Sequence, residues 1–123
     1  MKQMAENGFT LIELVIVIVI LGILAVMVMP KMINLSGDAQ TAATKGVAAA
    51  LSSANAENYA ARVEKGTNGN PVTNCTSVGD LLLSALPAGY TIVSAAVGVN
   101  LTVTCTLQGP SSTSATFMAT GVL

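Results

Sequence analysis

The chain has 123 residues, a length that suits one domain. Apolar residues make up 52% of it and charged residues 9%, against about 25% charged in an average globular domain. The net charge is −1, and Lys2, Lys31, Lys45, Arg62 and Lys65 are scattered, so the chain has no basic footprint for nucleic acid. Histidine is absent, which removes the commonest general base.

Residues 1–8, MKQMAENG, read as a short polar leader. An ordinary secretory signal places an apolar stretch of roughly 7 to 15 residues before a small-residue cleavage site. Here the apolar stretch comes last and is longer: Phe9 to Met29 is a run of 21 residues, charge-free from Leu14 onward. As a helix it measures about 31 Å, enough for the hydrocarbon core of a bilayer. The segment is expected to stay with the mature protein. Lys2 and the Met1 amine give a weak signal that the leader is cytoplasmic and the rest outside.

Glu13 is the odd residue of the span. A carboxylate in an apolar segment is costly and marks a functional candidate with a partner to be named. No lysine or arginine lies in the span. Were the leader removed between Gly8 and Phe9, the new amine of Phe9 would supply the positive charge, within one helix or between neighbouring helices. The alternative is a carboxylate that snorkels to the cytoplasmic interface.

Pro30 ends the apolar run, and proline inside a helix removes a hydrogen bond and kinks it. Helical sequence resumes at once. Residues 31–65 are alanine-rich and carry a stripe at Val47, Leu51 and Ala54, with Ala39, Ala43 and Ala50 close to the same face. The pattern predicts one helix from Phe9 to Glu64, kinked near Pro30 and stopped at Gly66. Residues 9–30 are its apolar half and 31–65 its amphipathic half.

Residues 66–123 make a head. Asp80 is its single charged side chain, and Ser and Thr occupy sixteen of its positions. Such a surface suits close packing against copies of itself, the alternative being simply a small domain of low charge. Gly66 to Pro71 is a turn-rich loop, Val78 to Leu86 reads as a short helix, and Pro87-Ala-Gly89 as a turn. Strand patterns follow at Tyr90–Val97, Val99–Leu107 and Ser114–Val122, with turns at Gly98–Asn100 and Gln108–Ser111. Leu101, Val103, Cys105 and Leu107 share one strand face. The fold class is α+β: a long N-terminal helix packed on a small antiparallel sheet of three or four strands.

Cys75 and Cys105, without histidine, do not make an ordinary zinc site. A disulfide is the better reading and implies an oxidising compartment, two buried thiols being the alternative. The closed loop of about 31 residues would contribute roughly 3.7 kcal/mol in the chain-entropy account.

Gly8-Phe9-Thr10-Leu11-Ile12-Glu13 followed by LVIVIVILGILA resembles the N-terminal signature of type IV pilins. Gly22 and Pro30 stand where pilins place theirs. Pro30-Lys31, Asn34-Leu35 and Asp38-Ala39 further resemble the mannose-sensitive haemagglutinin class, and the short leader with Phe9 fits the type IVa class. Close similarity covers residues 1–50. The resemblance implies cleavage after Gly8 by a prepilin peptidase in the inner membrane, then N-methylation of Phe9. It implies that Glu13 meets the Phe9 amine of a neighbouring subunit during assembly, and that the helix between Gly22 and Pro30 melts in the filament. The implied partners are the membrane, the peptidase, the pilus assembly machinery and further copies in a surface homopolymer used for adhesion or motility. No cofactor, metal or nucleic acid is expected. Glu6 departs from the usual basic leader.

Three rivals stand beside the major pilin. A type II secretion pseudopilin shares the N-terminal signature but usually carries a calcium site, which needs several oxygen ligands. A minor pilin is the second, and a membrane-anchored binding domain that does not polymerise is the third. An enzyme is not expected, because histidine is absent, the head has a single carboxylate, Asp80, and no serine has a visible base. Asn34, Asn74 and Asn100 each open an N-x-S/T match, a pattern common by chance.

Overall fold

The computed structural model describes residues 8–123, apart from the side chains of 32–34. The expectations for the leader, including Lys2 and Glu6, and for the Asn34 side chain lie outside the described residues. Helix α1 runs over Leu11–Glu64, with Pro30 inside the assigned span. It starts two residues later than expected, because Thr10 acts as its cap. The chain divides into two compact units, Met1–Ser36 and Gly37–Leu123.

In the first unit every described residue from Gly8 to Lys31 is exposed. Seventeen large apolar side chains between Phe9 and Met29 lie open, from 38% at Val15 to 88% at Phe9. This part of α1 is long and apolar enough to cross a membrane.

The second unit contains the core. Three antiparallel strands, β1 (Thr91–Ile92), β2 (Thr102–Gln108) and β3 (Ser114–Thr120), lie in the order β1-β2-β3. β2 and β3 pair along their whole length, with Cys105 opposite Phe117 and Thr102 opposite Thr120. Alternation puts Cys105, Leu107, Phe117 and Ala119 on the buried face. They meet Ala48 and Leu51 of α1, together with Val72, Cys75, Val78, Val97 and Val122.

The disulfide joins Cys75 to Cys105 with Cα atoms 5.8 Å apart. Cys75 opens a 3-10 helix over Cys75–Leu81, and Cys105 is in the middle strand. The bridge therefore fastens the segment after α1 to the centre of the sheet.

Several local expectations are corrected. The helix expected at Val78–Leu86 is the 3-10 helix Cys75–Leu81, drawn upstream because the Asn74 side chain caps it by accepting from the Thr76 N–H. The strand expected at Tyr90–Val97 pairs in the sheet over Thr91–Ile92. Beyond these, Val93 N–H donates to Thr106, whereas Ala95 and Val97 bond to Cys75 and Thr73. The first strand is thus split between two partners. Leu101 does not join the buried face of β2; it precedes the strand, in the turn closed by its N–H to Gly98, and is exposed.

The stripe of α1 is also shifted. Its buried positions are Thr44, Ala48, Leu51, Asn55 and Asn58, at i, i+4, i+7, i+11 and i+14. Val47 and Ala54 flank it half-buried, and Ala39, Ala43 and Ala50 are exposed. The reason is polar pairing. Asn55 Nδ2 donates to the Thr120 carbonyl at 3.2 Å while its Oδ1 accepts from the Thr120 N–H at 2.7 Å. Asn58 repeats this with Asn70, at 2.8 and 2.7 Å. Each amide imitates a strand neighbour, so burying it leaves no polar group unmatched. Thr44 Oγ1 lies 2.8 Å from Thr113 Oγ1, and Ser52 Oγ accepts from the Met118 N–H. Gly121 has no room for a side chain: a Cβ there would collide with the Gly98 carbonyl, where the two backbones cross.

Candidate functional site

Of the predicted processing and assembly residues, Gly8, Phe9 and Glu13 lie together at the start of α1. Gly8 and Phe9 are exposed and precede the helix, and nothing would obstruct a Cβ at Gly8. The Gly8–Phe9 bond is thus open to an approaching active site on its described side.

Thr10 and Glu13 form a reciprocal cap. Glu13 Oε2 accepts from the Thr10 N–H at 2.9 Å and from its hydroxyl at 2.8 Å. Thr10 Oγ1 in turn accepts from the Glu13 N–H at 3.4 Å. The pattern T-x-x-E is a capping box, in which two orphan N–H groups of the helix end are satisfied at once. Sequence reasoning missed this role, although the spacing was legible: a Thr three residues before a Glu at the start of an apolar run is its signal. The expected partner of Glu13 is the Phe9 amine of a processed chain; the structure gives it Thr10, within its own turn.

The cap has a chemical consequence. A carboxylate at a helix N-terminus faces partial positive charge from unpaired N–H groups, which makes its charge less costly in an apolar setting. It also holds the carboxylate beside the Phe9–Thr10 segment.

Gly22 and Pro30 lie further along the helix and do not join this cluster. Gly22 is exposed with open space around it, and Pro30 is exposed within the helical span. Among the described residues no three of His, Cys, Asp or Glu stand together in a way that could hold a metal ion.

Comparison with known proteins bears on this cluster. Residues 3–29 match the prokaryotic N-terminal methylation motif. The chain is 41% identical over 64 residues to the type II secretion system core protein G of Pseudomonas aeruginosa, covering 49% of this chain and 45% of that protein. It is 49% identical over 51 residues to the type IV narrow pilus major component PilA5 of Thermus thermophilus, covering 42% and 44%. These matches span less than half the length of either relative. No solved structure gives a significant match. The match to the methylation motif lies within the N-terminal segment, the same segment that carries the processing and assembly residues, and the chain is there similar to a type II secretion core protein and to a type IV pilus component.

Proposed function

We propose that the chain is the major structural subunit of a type IV pilus. It is held in the inner membrane by residues 9–30, cut after Gly8 by a prepilin peptidase, methylated on Phe9 and polymerised into a surface filament for adhesion or motility. One observation carries this reading: an open Gly8–Phe9 bond stands four residues before a capped Glu13, at the head of a helix whose residues 11–31 are exposed on all sides. Exposure on all sides fits a bilayer first and a bundle of like helices afterwards. In that bundle Glu13 would meet the Phe9 amine of a neighbour, in a low dielectric where opposite charges attract strongly. Gly22 and Pro30 would be the weak points at which the helix yields. The finer resemblance to mannose-sensitive haemagglutinin pilins rests on Pro30-Lys31, Asn34-Leu35 and Asp38-Ala39.

The likeness to a type II secretion core protein supports a second reading, a pseudopilin that builds a periplasmic fibre. Against it, a calcium-bearing head requires several carboxylate oxygens, and residues 66–123 offer Asp80 alone.

The test is made in the native host. Intact mass of material sheared from the cell surface should match a chain that begins at N-methylated Phe9 and lacks two hydrogens. Glu13→Val should leave membrane insertion intact and abolish the sheared polymer; wild-type polymer from this variant would refute the role given to Glu13. Processed protein that never enters the shear, with loss of protein export on deletion, would replace the pilus by the pseudopilus.

A further inference from the structure

Two flanks of the outer part of α1 offer different surfaces. Successive residues turn by about 100°, so the buried stripe from Thr44 to Asn58 marks the side that faces the sheet. Val47, Ala54, Glu57 and Ala61 fall on one side of that stripe. Lys45, Ala49 and Ser52 fall on the other, roughly half a turn around the axis.

Each flank opens into a groove within the second unit. The first, about 780 Å³, runs between α1 and the segment Asp80–Pro87. Its lining includes four alanines and three leucines, and Glu57 and Asp80 are its charged groups. Leu83 beside it stands wholly clear of the fold, the most exposed large apolar residue of the head. The second, about 430 Å³, runs between α1 and β3, and is lined by Lys45, Ala49, Ser52, Ser114, Ala115 and Thr116. Lys45 is its one charged group. Asp38 and Lys65 lie about two turns away on the respective flanks, and neither lines a groove.

The two surfaces are complementary in sign and in relief. One carries two carboxylates around an apolar slot with a projecting leucine. The other carries one ammonium among small side chains that a leucine can approach closely. We propose that the groove bordered by Glu57 and Asp80 receives the Lys45 flank of a second copy of this chain. The inference rests on the polymerisation reading and names the surface through which heads meet. The two faces lie on different sides of one molecule, so the contact is heterologous: each copy offers a free donor face and a free acceptor face, and growth continues instead of closing in a pair. The scarcity of other charge on the head leaves these groups to set the register.

The test uses the full-length chain in its native host, with the resident copy deleted. Lys45→Glu and Asp80→Lys should each lower the sheared polymer about fivefold, the most that one exposed ion pair supports per contact, and the double variant should recover. Contact is read directly with Ala49→Cys and Ser84→Cys, both at exposed positions on opposite flanks. A chain carrying both should yield an oxidised ladder of covalent oligomers, and either alone should yield none. Wild-type polymer from both charge variants overturns the proposal. So does a ladder-free polymer from the double-cysteine chain, or dimers from Ala49→Cys alone, which would show that this flank meets itself. If the wild-type chain is processed yet yields no polymer in any fraction, the polymerisation reading has failed, and with it the contact.

Discussion

The two units of this chain solve opposite problems with one helix. Residues 37–123 bury Leu51, Phe117 and Leu107 and match their polar groups internally; among the described residues no buried side-chain nitrogen or oxygen lacks a partner. Residues 8–31 bury nothing. Burying seventeen exposed apolar side chains at about 1.5–3 kcal/mol each is worth tens of kcal/mol, none of it realised within the chain. The stability of the head is thus its own, while the order of the N-terminal segment depends on what surrounds it.

The comparison breaks if damage in one unit is felt in the other. The largest expected effect is Phe117→Ala, which should destabilise the head by about 3–5 kcal/mol, read by thermal unfolding of the full chain in detergent. Ile18→Ala in the same assay should leave the head's transition unchanged. Cys75→Ser comes next. It should cost roughly 3.7 kcal/mol by releasing the loop between the 3-10 helix and β2, and reductant should move the wild type by the same amount. Asn55→Ala strips partners from both backbone groups of Thr120 and should cost about 1–3 kcal/mol; a loss no greater than that of an exposed Ala56→Gly would show that the asparagine is not holding β3. Smallest is Thr10→Ala. It removes half of the capping box and should cost the N-terminal helix about 1 kcal/mol, read as faster amide exchange near Glu13, with no change in the head.

Much of the architecture was legible because it follows from strong periodic signals. The 21-residue apolar run, Gly66 after Glu64, and the alternation around Cys105 led directly to α1 and β2. What was missed lies where polar side chains do the work of backbone. The expected stripe on α1 is apolar and leaves out Asn55 and Asn58, although each is buried by bonding a distant main chain. The split of the strand after Tyr90 depends on segment 73–75, held by the disulfide, competing with β2 for hydrogen bonds. No local pattern encodes that competition. At the N-terminus the opposite holds. The capping role of Glu13 is encoded within four residues, Thr10 to Glu13.

The amides of α1 also have a meaning for crowding. A sheet edge is a row of open hydrogen-bonding groups that invites another strand. At Met118 and Thr120 that row is already occupied by Ser52 and Asn55, and at the other edge β1 is two residues long. Strand addition is thus blocked at those positions by the molecule's own helix, and the short β1 leaves little edge on the other side for a templated strand.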